Sequence, residues 1–597
     1  MFKYKRETNE LDSIRKSTFI LNDKIDTVLC LNSDFSINKP FNGLYIKNGK
    51  VIISNVIEEF KTKKNNYKNS NVLSINSTNI FDNYISYIDL ENMQIKYEND
   101  DFKMFKTIHL EEKTGIMAIQ YEIENKTKYD ATFKVSPAIT YRNIYDMKNF
   151  SMLRFNQRNE KNGVVINLSI TNNEDIVLKS DNMLWNKDVS SLNDITYNIR
   201  ENNDNIKTYK EDLLIPGFFD IDLKSAQKIS TVIYISNKVL DLSKISIDEI
   251  SKKDLFLKEK LQSSIEKEYI ELKELAYGLD KLYLNDSIVT TLPYDVKISI
   301  ESKNINETID KLIDIVRAIE GQFLCFGRIK DATKRIFDVK KYIDYIDKLK
   351  IEEYEIKYKF NLLKLWTIES INRIIQKQDL FDTFFDFTKD LVMAILNDEL
   401  YNEYIKNIEY VSLLFNALKI YEDILDKKEL KEKFIFVTLE ELKIKIDKKF
   451  WNEDKRVMKK NLDEDEIYAN IDMLYTISLS YPCIIDSIRF KLLDTVFKEL
   501  YTPYGLREYS KNSSKNTGLI YPKYMAHFVK ANLRQNGVTR ASRKIAFNLA
   551  KELLLDLNKY VNCGIKKVYS EKGYNIDTLP YDLLTNAEIV RLYDMLM

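Results

Sequence analysis

A long tract without helix breakers is the strongest constraint in this sequence. No proline stands between Pro293 and Pro482, and no glycine between Gly327 and Gly505. Proline removes a backbone donor and clashes with the preceding turn, and glycine weakens helix interiors, so their absence permits many consecutive helices. The apolar pattern agrees. Ile305, Ile309, Leu312, Val316 and Ile319 recur at helical steps, and Val411, Leu414, Leu418 and Leu425 do so more loosely. The chain from about residue 250 onward is expected to be helix after helix.

The first 240 residues carry a different period. Ile119, Tyr121 and Ile123 alternate with Gln120, Glu122 and Glu124; Ile166, Leu168 and Ile170 alternate with Asn167 and Ser169; Phe219, Ile221 and Leu223 alternate with Asp220 and Asp222. A period of two marks antiparallel strands with one wet face. Asn-rich stretches at 64–66 and 201–204 supply turns. The expected order is an N-terminal antiparallel β-sandwich over 1–240, a helical linker over 241–285, and a helical domain over 286–597. No repeat of fixed solenoid period is visible, yet an α/α toroid fits a helical half of this length.

Composition narrows function mainly by exclusion. Lys and Arg number 91 against 91 Asp and Glu, so there is no basic excess for phosphate contact, and nucleic acid is not expected as a partner. His109 and His527 are the only histidines, which rules out a three-histidine metal site and leaves little imidazole chemistry. Cys30, Cys325, Cys483 and Cys563 lie far apart without a paired motif, so buried, reduced thiols are expected. The first ten residues hold no apolar signal region, and no stretch reaches the ~18 apolar residues of a membrane span. A cytoplasmic protein with no membrane contact, metal or cofactor is expected.

Several collinear segments then resemble the bacterial and archaeal glycogen debranching enzymes. The run from Thr208 through Glu211, Asp212 and Pro216 to Gly217 and Phe218 is similar to the segment that closes the family's N-terminal domain. The run Leu500, Tyr501, Thr502, Pro503, Tyr504, Gly505, Leu506, Arg507 is nearly the family's L-L-T-P-Y-G-L-R. Phe19 to Asn22 followed by Phe41 to Leu44, Phe326 to Ala332, and Phe450 to Glu453 fall in the same order and spacing. The resemblance covers nearly the whole chain. It implies a β-sandwich followed by an (α/α)6-type barrel, and the amylo-α-1,6-glucosidase reaction, which hydrolyses the branch linkages of glycogen.

That reaction needs two carboxyl groups facing each other across roughly 6.5–9.5 Å, one to protonate the leaving oxygen and one to activate water. The resemblance places the acid in a motif matched here by Tyr358 to Trp366, where its position holds Leu362. It places the second carboxylate in a motif matched by Cys563 to Gly573, where its position holds Tyr569, with Glu571 two residues on. The family's sugar-gripping segment aligns with Lys311 to Asp314 and keeps only Asp314. Its tryptophan-rich segment appears as Asn516 to Lys523, with both tryptophans gone and Tyr521 remaining. Further segments appear as Asn470 to Met473 and Thr585 to Arg591.

What persists is largely conformational: Pro216, Gly217, Gly321, Gly327, the 502–506 turn, Pro522 and Gly573. What is missing is chemical. The expectation is therefore a debranching-family protein that has lost hydrolysis and keeps glucan or oligosaccharide binding, through Asp314, Trp366, Tyr504, Arg507 and Tyr521, or serves as a structural or regulatory partner of a related enzyme. Trp366, at an apolar helical position, reads more readily as core. The alternative is an active glycosidase whose carboxylates have moved, with Asp314, Asp310 and Glu571 as candidates. A third reading makes the chain a pure assembly component. Nothing in the charge pattern selects a protein partner or an oligomeric state.

Overall fold

Strands fill the N-terminal part of the chain and helices the C-terminal part. The computed structural model describes residues 3–5, 17–68, 81–90, 92–112, 114–147, 154–169, 175–202, 205–238, 240–242, 245–250, 270–283, 289–293, 304–573 and 575–597. Ile170, part of the expected alternation, residues 203–204 of one expected turn, and much of the expected linker over 241–285 lie outside these. Two compact units divide the chain. One comprises 1–263, 281–297 and 558–564; the other comprises 264–280, 298–557 and 565–597.

Two antiparallel sheets build the first unit. Its organising strands are β1 (Lys50–Thr62), β2 (Phe102–Leu110), β3 (Met117–Asn125), β4 (Ala131–Asn143), β5 (Ile206–Ile215) and β6 (Lys228–Ser236). In one sheet β3 is central, flanked by β2 and β6; in the other β4 lies beside β1 and also meets β5. Ile119, Tyr121 and Ile123 are buried while Gln120, Glu122 and Glu124 are not, as the alternation requires. The inner faces of the sheets meet through Phe60 on β1 and Phe102 on β2, with ring centres 5.1 Å apart. Tyr121 on β3 crosses the same gap and donates to Glu58 on β1 at 2.8 Å.

The Thr208 to Phe218 segment has a structural explanation. Glu211 on β5 is fully buried and accepts from Arg142 on β4 at 2.7 and 3.0 Å and from the Tyr197 hydroxyl at 2.8 Å. Arg142 spends its remaining donors on the carbonyls of Pro40 and Ile144. The motif's glutamate thus neutralises a buried guanidinium and has no contact with chemistry.

The second unit is helical. Besides one short turn at Tyr401–Tyr404, its helices are α1 (Ile270–Asp280), α2 (Ile305–Gln322), α3 (Ile329–Ile346), α4 (Tyr354–Lys377), α5 (Phe381–Leu396), α6 (Ile408–Lys427), α7 (Lys433–Lys445), α8 (Tyr475–Ser478), α9 (Asp486–Glu499), α10 (Met525–Asn536), α11 (Arg540–Leu555) and α12 (Leu583–Leu596). Even-numbered helices contact one another in a closed cycle: α2 on α4, α4 on α6, α6 on α8, α8 on α10, α10 on α12, and α12 back on α2. Odd-numbered helices pack outside them; α3 touches α2 and α4, α5 touches α4 and α6, and α11 touches α10 and α12.

Burial follows this division. Every residue of α4 from Phe360 to Ile375 is buried, whereas α3 buries a stripe of Ala332, Arg335, Ile336, Val339, Tyr342, Ile343 and Ile346. A helix apolar on one stripe suits the outside of a ring, and one enclosed all round suits the inside. Closure depends on Gly321, where α2 passes so near α12 that any side chain would overlap the backbone of Ala587.

Two substitutions test this account. Glu211→Ala leaves a buried guanidinium uncompensated and should lower the full chain's unfolding free energy by about 3–5 kcal/mol in denaturant titration. Gly321→Ala forces α2 away from α12 and should cost about 1–3 kcal/mol in the same measurement. Wild-type stability in either variant contradicts the corresponding contact.

Candidate functional site

Chain order and side-chain partners fix the direction of the inner helices. Arg317, Trp366, Tyr475 and His527, from α2, α4, α8 and α10, meet in one layer. The Arg317 guanidinium lies 4.6 Å from the Trp366 ring centre and donates to the Tyr475 hydroxyl at 3.1 Å, and the His527 ring packs on both aromatics. About one helical turn further along the helices a second layer forms. Glu320 pairs with Arg591 at 2.6 Å and Arg373 at 3.1 Å, Glu369 pairs with Arg373 at 3.0 Å, and Arg591 pairs with Glu588 at 2.6 Å. In α2 and α4 the lower residue numbers occupy the first layer. Glu409, Lys523 and Asp582 act on Asp314 or Arg317, while the later residues Asn416, Lys530 and Arg591 act on Glu369 or Glu320. The long inner helices therefore run parallel, and their N-terminal ends share one end of the ring. The dipoles of the five long inner helices therefore favour negative charge at that end.

That end, the mouth, gathers acidic and basic groups from or beside five of the six inner elements, all but α4. Asp582 caps α12, accepts from the Thr585 amide at 3.0 Å and pairs with Lys567 at 2.9 Å. Burial alone would raise its carboxyl, but Lys567 and the Thr585 bonds hold it below the ordinary range. Asp472, in the turn before α8, pairs at 3.0 Å with Lys460, whose ammonium also donates to the Tyr509 hydroxyl at 2.8 Å. Tyr524 donates to Glu508 at 3.1 Å.

Three groups there lack an ionic partner. The side chains of Asp314 on α2, Glu409 at the start of α6 and Lys523 before α10 are half-buried, and none forms a hydrogen bond or ion pair among the described residues, though the Lys523 ammonium lies over the Tyr521 and Tyr524 rings. Burial pushes the Asp314 carboxyl up, Lys523 opposes the shift and Asp582 adds to it. Burial, with Asp472 nearby, pushes Glu409 up to about 7. Burial lowers the Lys523 ammonium, against the pull of Asp314. In the deeper layer His527 is held well below its usual range by burial and by Arg591, Arg317, Arg373 and Lys530, so it is neutral.

The sequence-derived site residues fall into separate places. Three short pairings assemble one group. Tyr501–Thr502 pairs with Gly505–Leu506, Leu506 bridges to Tyr521, and Leu519–Ile520 pairs with Tyr569–Ser570. Gly505 has a φ of 144°, and any side chain on it would overlap the backbone of Tyr521 and Pro522, which explains its persistence in the turn. The result stacks Tyr504 on Tyr569, ring centres 5.1 Å apart, and joins Arg507 to Glu571 in an ion pair. Glu571 is therefore engaged.

Leu362 sits on the inner stripe of α4 between Tyr358 and Trp366, 7% exposed. Trp366 itself is 1% exposed and covered by Arg317. Asp310 points outward and pairs with Lys359 at 2.9 Å. Sequence reasoning missed Glu409, Asp472, Lys460 and Lys523. Asp472 and Lys523 lay within matched segments, and Lys523 occupies one of the lost tryptophan positions; Glu409 carried no motif.

No cluster of three or more metal-ligating side chains occurs among the described residues. No described helix is long and apolar enough to cross a membrane. Residues 64–230 match the family described as glycogen debranching enzyme N terminal, and residues 403–526 match amylo-alpha-1,6-glucosidase. These are two domains of one family in its order, so the chain is glycogen-debranching-like in both halves. Its fold is similar to that of a bacterial glucoamylase complexed with acarbose, at 11% identity and a TM-score of 0.58, covering 97% of this chain and 93% of that one. A putative kojibiose phosphorylase from human microbiome aligns over 99% of this chain and 88% of its own, at 10% identity and a TM-score of 0.47. No curated protein matches the sequence.

The unmatched carboxyl at the mouth yields a pH prediction. Glu409 has a folded pKa raised above its unfolded value, so its ionisation opposes folding. The stability of its neutral form is present below about pH 4 and is lost as pH rises toward about 7. Glu409→Gln cannot ionise. Its thermal midpoint should equal that of wild type near pH 4 and exceed it above pH 7; parallel profiles would contradict the assigned environment.

Proposed function

We propose that this chain is a glucan-binding protein of the glycogen debranching type that has given up hydrolysis. In this reading the first unit is a β-sandwich over 1–240, joined through a helical linker over 241–285 to an (α/α)6 barrel over 286–597, and the protein works in the cytoplasm. The barrel assignment draws on the closed cycle of six inner elements and the likeness to the glucoamylase fold. A glucan chain end enters the mouth, where Tyr504, Tyr521 and Tyr569 supply ring faces for pyranose packing. The acarbose carried by the glucoamylase of similar fold supports the choice of a saccharide.

One observation carries the loss of hydrolysis. The two family positions for carboxylates hold Leu362 and Tyr569, and the nearby Glu571 is bound to Arg507. A hydrocarbon neither gives nor takes a proton, and a carboxylate paired with a buried guanidinium is a poor base. With no carboxyl group at either of those two positions, the acid and the base that the resemblance implies are both missing.

A second reading is favoured by Asp314 and Glu409. Both are unpaired at the mouth, and a carboxyl near pKa 7 suits a general acid at neutral pH. Of the three carboxylates weighed from sequence, Asp310 and Glu571 are engaged in ion pairs, so Asp314 alone remains, now with Glu409 beside α8.

Co-sedimentation with glycogen separates these readings from a pure assembly role. Wild type should pellet with glycogen, and Tyr521→Ala should weaken this by about tenfold. Limit dextrin should yield no enzymatic glucose. Glucose release that disappears in Glu409→Gln would establish the second reading, and absence of any glycogen binding would leave the assembly role.

A further inference from the structure

The outer helix α7 carries two apolar faces where a helix on the outside of a ring needs one. Ile435, Leu439 and Leu442 are buried on the side that packs toward α6. Phe434, Phe436, Val437 and Ile444 are 41–61% exposed, as is Leu430 just before the helix. Phe434, Val437 and Ile444 recur at steps of three and seven and so share a stripe, with Glu441 set into it and Lys433 and Glu440 along one edge. Lys433, Glu440 and Glu441 form no hydrogen bond or ion pair among the described residues.

Among the described residues no other outer helix repeats this pattern. α3 exposes Phe337 alone, and α5 exposes no large apolar side chain. α9 exposes Phe490 and Phe497, but its charges are taken up within the chain, Lys498 by Asp494, Arg489 by Asp486 and Lys491 by Glu453. α11 exposes Ile545, Phe547 and Leu555 among Arg540, Lys544 and Lys551, a face of mostly one sign that repels its own copy. The area on α7 suits a pairing of copies. Its five exposed apolar side chains present about 400 Å² of apolar surface. A stable dimer removes about 800 Å² from each copy, rather more than half of it apolar, so this one helix supplies nearly the whole apolar share.

We propose that α7 is a homodimer interface, packed antiparallel against α7 of a second copy about a two-fold axis at Val437. The charges select this arrangement. Leu430 and Ile444 lie seven residues either side of Val437, and Lys433 and Glu441 lie four either side. The two-fold therefore sets Val437 on its own mate, Leu430 opposite Ile444, and Lys433 opposite Glu440 and Glu441, so every unpaired charge of the stripe meets its opposite. A parallel two-fold would instead set Lys433 on Lys433 and Glu441 on Glu441.

Sedimentation velocity of the full chain over a range of micromolar concentrations should show a species of twice the chain mass. Val437→Asp sets two carboxylates on the axis and should weaken pairing about tenfold or more. Its far-ultraviolet circular dichroism should match wild type, because Val437 is half exposed in the single copy. Lys433→Glu should weaken pairing about tenfold, and adding Glu440→Lys and Glu441→Lys to it should restore pairing, a rescue that misfolding would not allow. All four native cysteines are buried, so an introduced surface cysteine reacts alone. Val437→Cys should form a disulfide-linked dimer under mild oxidation, and Phe490→Cys on α9 should not. A monomer at every concentration overturns the proposal and leaves the α7 face to a different protein. A dimer that persists in both Val437→Asp and Lys433→Glu, or that cross-links through Phe490→Cys in place of Val437→Cys, overturns it by putting the contact elsewhere.

Discussion

The ion pair between Arg591 and Glu320 joins the last inner helix to the first, and the rest of the helical unit is arranged around it. Glu320 also takes Arg373 from α4, and Arg373 takes Glu369, which is held by Asn416 of α6 and Ser480 after α8. One connected set of charges thus ties α2, α4, α6 and α12 together across the axis. Burial alone would raise the Glu320 carboxyl, but the two guanidinium groups pull it down to about 2, so the pair stays ionised. Buried ion pairs contribute little net stability but penalise any broken arrangement, which makes them effective at specifying one closure of the ring. Gly321, adjacent to Glu320, supplies the steric half of the same constraint.

A polar axis of this kind changes what the mouth can be. The inner helices present their N-terminal ends and the charges Asp314, Glu409 and Lys523 to one end, while deeper in the ring Glu320, Glu369 and Glu588 pair with Arg373 and Arg591. Trp366, which a saccharide site would use as an open platform, is spent inside, under Arg317 and against Tyr475 and His527. The aromatic faces left near the surface are tyrosines delivered by short β pairings, and those pairings depend on Gly505 and the turn around it. Gly321 and Gly505 stand where a neighbouring backbone leaves no room for a side chain, and Gly327 and Gly573 where the backbone takes a positive φ of 71° and 75°. The chemical positions are free to hold a leucine and a tyrosine because nothing in the fold requires a carboxylate there.

Much of this was legible in the sequence. Alternation at Ile119, Tyr121 and Ile123, and the stripe of Ile309, Leu312, Val316 and Ile319, follow from burial on one face, which is a local property that a chain advertises. The division of helices into inner and outer was not legible, because α4 carries Lys364, Glu369 and Arg373 among its buried residues and so conceals its enclosure. Those charges are satisfied only by partners from distant segments. Glu409 escaped notice for the same reason. Its raised pKa arises from a neighbour 63 positions away, Asp472, and from enclosure by elements that meet only in the folded ring. Conversely Glu211, which a motif marked, turns out to anchor Arg142 in the β unit.

The central proposal is that hydrolysis was lost with the carboxylates at the positions of Leu362 and Tyr569, and that Asp314 and Glu409 do not replace them. It is tested most directly by a single-turnover experiment, with the full chain in molar excess over a phosphorylase-type limit dextrin and released glucose measured over time. The account predicts no glucose above the uncatalysed background at any pH between about 5 and 8, a window that spans the titration of Glu409. Release of one glucose per branch point, with a pH dependence centred near the Glu409 titration, would contradict it.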